Sequence, residues 1–419
     1  MKKIIYLMAA VALMTGLEAC NNESIEDTGK EAATQPTVLT LDGGSDYVSL
    51  TKGEQADWKI TNCPEWVTPV AMSGEATDTI RLYIESNRQL PLRQGNITVR
   101  YGNGKTHTTR AEQNDSQPAL DMRRSYAAGW GFDVRTYNDS RGLRDQIFNI
   151  QRINQYDDDI YRSEISRATD TKFFYGDDAS DMQNDMKGQL SIDGKFKVFS
   201  LDVQASFGMN AINNSKRIFS WIRDITGERV VYLNALDPGK AQEKELFTTD
   251  FKKLRQEIIK SQGSDATISR LVNNYGTHYI TKAELGGCYD YYYSSVYTNS
   301  SNSLNVEATL KFAYNKKFNF NADAAYENSL KDLSNEVIEK FSVKGGDNID
   351  ITNKVYAGNI STTDTDNWKK SLREGKKWEL LTFTLTPISV LFPNDIAEKI
   401  DNYMDRLYYS ETPITRSEK

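Results

Sequence analysis

Between Leu190 and Phe207 the chain reads LSIDGKFKVFSLDVQASF, and apolar side chains return at every second place. They are Leu190, Ile192, Phe196 and Val198, then, after a slip of one, Phe199, Leu201, Val203 and Phe207. Polar residues fill the gaps: Ser191, Asp193, Lys195 and Lys197, then Ser200, Asp202, Gln204 and Ser206. A period of two predicts two strands of about nine or ten residues, oily on one side and wet on the other, as a membrane-crossing β-hairpin requires. A second pair lies further on. Leu304, Val306, Ala308, Leu310, Phe312 and Tyr314 alternate with Asn305, Glu307, Thr309 and Lys311, and Phe318, Phe320, Ala322, Ala324 and Tyr326 continue after Asn315-Lys316-Lys317. The plainer reading of both is half-buried strands, or amphipathic helices, of a domain that never inserts.

Helical spacing is found elsewhere. Phe251, Leu254 and Ile258 recur at helical intervals within Asp250 to Ser261. Ile268, Leu271 and Val272 follow Asp265, a predicted N-cap, and Ile396, Ile400, Met404 and Leu407 form one stripe after Pro393-Asn394. The remainder of residues 122–409 reads as long strands, making one large α+β unit. Residues 37–114 instead carry short alternating runs between turn residues (VLTL, YVSL, WKI, TIRLYIE, NITVRY), the mark of a small all-β, Ig-like sandwich. A polar linker containing Pro118 separates the two.

The N-terminus adds a targeting segment. Lys2 and Lys3 precede an apolar run from Ile4 to Leu17, predicting a secretory signal over residues 1–19. Ala19-Cys20 is similar to the bacterial lipoprotein cleavage box, which implies a lipid on Cys20; Glu18 departs from the commonest pattern. Ordinary signal cleavage would leave Cys20 as a thiol. Residues 20–36 are polar and acidic and read as a flexible tether, in which Glu23, Glu26 and Asp27 serve either as a surface-export signal or merely as solvated linker. Residues 410–419 form a tail. The expected location is an outer membrane, lipid-anchored and surface-exposed, or outside the cell.

Composition narrows the partners. The 419 residues carry a formal net charge of −7, and losing residues 1–19, with two lysines and one glutamate, makes it about −8. That balance argues against nucleic acid and against simple adhesion to anionic lipid. Cys63 and Cys288 lie far apart in sequence, so no disulfide framework is expected. Only two histidines occur, His107 and His278, in different units, and no metalloprotease, paired Cys-x-x-Cys, P-loop or nucleophile-elbow motif is present. No catalytic residue, metal or cofactor is assigned. Acidic runs such as Asp157-Asp158-Asp159 read as solvated loop, and a glycan-degrading enzyme would need a convergent acid pair that the sequence does not reveal.

The densest local signal is YGTHYITKAELGG: Tyr275, Gly276, Thr277, His278 and Tyr279, six residues, then Gly286 and Gly287. It resembles the signature of the MACPF (membrane attack complex/perforin) family at every position. Gly129-Trp130-Gly131-Phe132-Asp133 is similar to the family's opening strand, Gly345-Gly346-Asp347 to the element after its second spanning segment, and Trp368, Ser371-Leu372 and Thr386-Pro387-Ile388 to its closing region. The resemblance covers residues 119–409. It implies a bent antiparallel sheet flanked by helical clusters, with Gly286-Gly287 as hinge and the two alternating segments as spanning elements folded into helices before insertion. His278 reads as a structural histidine, with a pH sensor as the sharper alternative. Residues 37–114 resemble a BACON domain through Gly43-Gly44, Trp58, Pro64-Glu65-Trp66, Asn87 and Arg93-Gln94-Gly95. Trp58 and Trp66 are therefore either core residues or candidate sugar-stacking faces.

Energetics then point to an oligomer. Burying the eight apolar residues of the first segment in lipid would yield roughly 12–24 kcal/mol as an upper bound. An open edge would still strand backbone N–H and C=O groups in hydrocarbon. Four strands per copy close only if many copies join head to tail in a ring. Together with the resemblance to the MACPF family, this leads to the expectation of a pore-forming protein on a target membrane; the resemblance further implies an antimicrobial toxin aimed at competing bacteria, with an outer-membrane protein or glycan as receptor. The alternative is a non-lytic adhesin or glycan-binding lipoprotein using the same fold as a scaffold.

Overall fold

A computed structural model describes residues 38–40, 48–50, 52–85, 93–113, 127–156, 160–192, 198–214, 216–234, 238–296, 304–318, 320, 322–333, 335–356, 360–374 and 377–410. The signal segment, Cys20, the tether, Phe196, residues 411–419 of the tail and the side chains of Leu304 and Leu407 lie outside this set.

Among the described residues the N-terminal sandwich has the strands β1 (Val38–Thr40), β2 (Val48–Leu50), β3 (Trp58–Asn62), β4 (Val67–Pro69), β5 (Ser73–Gly74), β6 (Ile80–Ile84), β7 (Arg93–Tyr101) and β8 (Thr106–Gln113). One sheet has the order β1-β8-β7-β3-β5 and the other β2-β6-β4. Inward positions of both supply the core, with Ile60, Ile80, Leu82, Ile84, Ile97 and Val99 fully buried. Trp58 and Trp66 belong to that core, at 4% and 7% exposure. Neither indole therefore offers a face to a sugar, and the stacking role is corrected: closing so small a sandwich consumes both rings.

The larger unit begins with β9 (Trp130–Phe132), β10 (Leu143–Gln146) and α1 (Ile150–Tyr156), then β11 (Tyr161–Ile165) and β12 (Thr169–Gly176). A first helical cluster, α2 (Ala179–Gln189), α3 (Ser200–Phe207) and α4 (Met209–Ile212), leads into the long strand β13 (Arg217–Leu233). Then come α5 (Pro238–Glu243), α6 (Thr249–Lys260), α7 (Asp265–Tyr275) and the longest strand, β14 (His278–Val296). A second cluster, α8 (Leu304–Lys317) and α9 (Glu327–Asp332), precedes β15 (Asn335–Lys344), α10 (Asn348–Tyr356), α11 (Thr362–Arg373), β16 (Glu379–Pro387) and α12 (Asn394–Ser410). The apolar stripes expected for α6, α7 and α12 face the core through Phe251, Leu254 and Ile258, through Ile268, Leu271 and Val272, and through Ile396, Ile400 and Met404. Asp265 is the first helical residue and Ser264 the cap, one place earlier than expected. Helices are also more numerous than the reading of long strands allowed, because α1, α2, α10 and α11 carry short stripes hidden among polar residues.

β13 and β14 pair antiparallel through the middle of the sheet, with Ile225 opposite Cys288. Each long strand has two shorter neighbours on its outer side. β12 pairs with Phe219–Thr226 of β13 and β11 with Arg229–Leu233; β16 pairs with His278–Gly286 of β14 and β15 with Cys288–Val296.

The sandwich docks on this body through a buried carboxylate. Glu85, 1% exposed, accepts hydrogen bonds from Asn149 Nδ2 at 3.0 Å and from the backbone N–H of Thr249 at 2.9 Å. Asn149 Nδ2 also reaches Thr68 Oγ1 at 3.0 Å, and Arg152 donates to the Glu65 carbonyl at 3.1 Å. The negative charge sits where α6 begins, which suits the positive end of that helix.

Candidate functional site: a glycine seam and two helical segments

The partner changes on both sides of the central strands fall on one line of glycines. Gly227 of β13 stands opposite Gly286 of β14, at a register shift between Gly227 and Arg229. On the outer side, β14 passes from Glu379 of β16, opposite Gly286, to Lys344 of β15, opposite Cys288. Side chains cannot be fitted there. A Cβ on Gly286 would lie 2.2 Å from the Thr226 carbonyl oxygen, and one on Gly345 would lie 2.5 Å from the Gly286 oxygen. The seam thus needs backbone against backbone across neighbouring strands.

The signature residues explain themselves in the same way. Tyr275 ends α7, buried with its ring edge-on to Phe251 at 5.0 Å. Gly276 follows at φ +78°, the left-handed conformation that turns the chain out of a helix. Thr277 N–H donates to the Phe132 carbonyl at 3.0 Å, and His278 and Tyr279 open β14 opposite Phe132 and Gly131. This stretch is a helix-to-strand turn that seats the opening strand. His278 is buried and shares a 2.8 Å hydrogen bond between Nδ1 and Thr277 Oγ1. Burial lowers its pKa to about 4, so it is neutral at pH 7.

The two alternating segments occupy matching places. The first joins β12 to β13, whose pairing ends at Gly176 opposite Phe219; the second joins β14 to β15, whose pairing ends at Val296 opposite Asn335. The second half of the first segment, α3, and the first half of the second, α8, are helices rather than the strands that their period predicts, in agreement with the helical clusters the resemblance implies. The helices fit their residues poorly. α3 buries Asp202, Val203, Ser206 and Phe207 while leaving Leu201 41% exposed. α8 buries Val306, Leu310 and Tyr314, yet also Thr309 and Ala313 from the opposite parity, and its apolar residues are spread around the helix rather than gathered on one side. By contrast α6, α7 and α12 each have one concentrated apolar face.

Within the first segment, Ile192, Val198, Phe199, Val203 and Phe207 are buried and Leu190 is half-buried at the end of α2. Phe207 meets Phe219 and Tyr292 edge-on at 5.0 and 5.9 Å. Ser191 and Phe199 both hold φ of +51°, a left-handed backbone that costs a non-glycine residue about 1–3 kcal/mol. In the second, Val306, Leu310, Phe312 and Phe318 are buried and Phe320 is half-buried. Phe318 packs on Tyr289 at 5.1 Å and Tyr314 on Tyr291 at 6.0 Å, while Tyr314 OH donates to Asp224 Oδ2 at 2.9 Å.

A buried ionic network, not visible from sequence, ties α3 to the seam. Arg223 of β13 grips Asp290 of β14, with Nε–Oδ1 at 2.7 Å and Nη2–Oδ2 at 3.1 Å, and donates onward to the carbonyls of Asn138 and Leu381. Lys344 bridges Asp290 Oδ2 at 3.0 Å to Asp139 Oδ2 at 2.6 Å. Arg141 binds Asp139 through Nε and Nη2 and reaches Asp202 Oδ1 of α3 at 3.2 Å. Glu379 joins through the Ser140 N–H at 3.1 Å. Burial would raise the Asp290 carboxyl, but Arg223 and Lys344 hold it down at about 2; burial, with Asp139 nearby, leaves Glu379 raised. Arg223 and Asp290 are direct partners across two strands, a relation legible only once the register is known.

Cys63 and Cys288 are both free. Among the described residues no group of three or more His, Cys, Asp or Glu side chains is placed to hold a metal, and no helix is long and apolar enough to cross a membrane.

The MACPF family profile (MAC/Perforin domain) matches residues 125–417, and the BACON profile, described as "Putative binding domain, N-terminal", matches residues 56–114. The chain belongs to the MACPF family. Among solved structures it is similar to GNIP1Aa from Chromobacterium piscinae (TM-score 0.57, 16% identity, over 70% of this chain and 58% of that one). It is also similar to a MAC/Perforin-domain protein from Bacteroides thetaiotaomicron (TM-score 0.51, 15% identity, over 69% and 61%). At such identities the likeness is one of fold, and this chain spans about three-fifths of either protein. No curated protein sequence matches it.

Proposed function

We propose that this chain permeabilises membranes by releasing α2–α4 and α8–α9 from the sheet and re-forming them as two amphipathic β-hairpins. One observation carries the reading. The apolar residues of α3 and α8 alternate along the chain although the helices bury their residues by the turn, and each segment sits at the open end of an antiparallel strand pair. Extending β12 with β13, and β14 with β15, would continue ladders already present. Leu201, exposed to solvent on α3, would then face lipid beside Phe199 and Val203, while Asp202 and Gln204 would face water. The glycine seam supplies the backbone freedom for the sheet to change curvature as the segments leave.

The outer edges, β12 on one side and β15 on the other, support assembly of many copies into a ring, since open edges are untenable in hydrocarbon. We further propose a lipid anchor at Cys20 and residence at an outer-membrane surface or outside the cell, with competing bacteria as target and an envelope protein or glycan as receptor. The buried indoles leave the loops of the sandwich, not Trp58 or Trp66, as its recognition surface.

The test pins the first segment. Ser200 N–H donates to the Arg135 carbonyl at 3.0 Å, so positions 135 and 200 lie on adjoining backbones and take the cysteine pair, with formation of the bridge checked by thiol titration, and Asp133 keeps Arg144 at 3.0 Å when Arg135 is replaced. Dye release from bacterial outer-membrane vesicles should vanish when the pair is oxidised and return on reduction. Equal release in both states contradicts the reading.

A further inference from the structure

The ionic network under the seam holds more acid than base. Among the described residues, Asp139, Asp202, Asp290 and Glu379 share Arg141, Arg223 and Lys344. The next cations along the chain, Arg135 and Arg144, are taken up by Asp133 at 2.8 and 3.0 Å. The other titratable groups turned toward the cluster, Tyr292 and Cys288 of β14, are buried and bring no positive charge.

The shortfall falls on Glu379, which has the N–H groups of Ser140 and Leu380 but no ion pair among the described residues, and on Asp202. Asp290 has Arg223 at 2.7 Å and Lys344 at 3.0 Å, and Asp139 has Lys344 and Arg141 both at 2.6 Å. Among the described residues Asp202, with a side chain 3% exposed, forms an ion pair with Arg141 alone, at 3.2 Å and already engaged by Asp139, and accepts the Asn138 N–H at 3.3 Å; Lys344 and Arg223 act on it from farther away, Asp139 opposes them, and burial leaves its carboxyl raised. A carboxylate removed from water and paired at second hand is an unfavourable arrangement. It is also on the polar parity of its segment, so leaving the sheet would carry it into water. We infer that Asp202 is a built-in release element: its under-compensated buried carboxylate strains the contact between α3 and the sheet and primes the first segment to leave. The inference rests on the proposed release of that segment.

An ordinary salt-bridge latch and a strained one predict opposite effects of removing the charge. Asp202→Asn keeps the shape and one of the two acceptor oxygens, which serves either the Asn138 N–H or Arg141, while removing one negative charge from the cluster. The measurement is amide hydrogen exchange of residues 198–207 in the full chain at neutral pH without membranes, each rate divided by its intrinsic value. Exchange in residues 394–410 serves as the control for overall folding. Asp202→Asn should raise protection of the segment roughly three- to tenfold. Glu379→Gln, which removes a charge without touching the segment, should raise it in the same direction. It carries the test if the first variant fails to fold. Protection that falls or stays level in a folded variant overturns the inference. Dye release separates this from the pore reading. Slower release by Asp202→Asn supports both, whereas raised protection in a protein that never releases dye leaves the strained contact standing and removes the pore.

Discussion

The ring of Trp368 fills the space that a side chain at Gly287 would need: a Cβ there would lie 2.5 Å from Trp368 Cζ2. Trp368 Nε1 also donates to the Gly345 carbonyl at 2.8 Å, so one residue of α11 touches both β14, where its outer partner changes, and the end of β15. α11 is thereby a strut on the seam. Gly287→Ala must push the indole or the strand aside, and the expected cost is about 1–3 kcal/mol of stability in urea unfolding. Trp368→Phe, which keeps a ring but loses the hydrogen bond, should cost about 1 kcal/mol. Loss of neither would mean that α11 does not brace the seam.

His278 gives the fold a definite response to acid. Its pKa is lowered from 6.5 to about 4 by burial, with the Asp133 charge opposing weakly. The unfolded chain therefore takes up a proton that the folded chain refuses. Its contribution is fully present above pH 6.5 and is lost as pH falls toward 4, by roughly 3 kcal/mol in all. Comparing unfolding midpoints across that window, His278→Gln should have a flatter profile than the parent protein. Parallel profiles would exclude the histidine as the cause. This behaviour is that of a buried structural residue, in line with the plainer of the two sequence readings.

Glu85 sets the relation of sandwich to body. Truncation to alanine leaves one hydrogen of the Asn149 amide, whose nitrogen still reaches Thr68, and the Thr249 N–H facing a cavity, and an unpaired buried donor costs about 1–3 kcal/mol. Glu85→Ala should lower stability by about 2–4 kcal/mol and split a shared unfolding transition into two. A single unshifted transition would show that the interface is not energetically coupled.

What could be read without coordinates, and what could not, follows from how each signal is encoded. Phe251, Leu254 and Ile258 lie on one side of any helix drawn through them, so α6 was legible, as were α7 and α12. The turn from Tyr275 to Tyr279 was recognisable as a motif, but its reason, the left-handed Gly276 and the opening strand bound at Phe132, is a contact across a long stretch of chain. The segment from Ser200 to Phe207 misleads because its alternation describes a strand while its packing beside Phe219 and Tyr292 makes a helix. Charge pairing was the most hidden. Arg223 and Asp290 become partners only through the β13–β14 register, and Asp202 looked like one polar position among several. Glu85 ends a strand with nothing nearby in sequence to announce a buried interface.

The central claim is that residues of α3 exchange a helix for a strand when the protein meets its target. The most direct measurement places single cysteines in turn at positions 199–204, with Cys63 replaced by serine, labels each with an environment-sensitive dye and records emission on outer-membrane vesicles. Positions 199, 201 and 203 should report lipid, and 200, 202 and 204 should report water. Uniform emission, or a repeat of three to four residues as in the helix, would contradict the account.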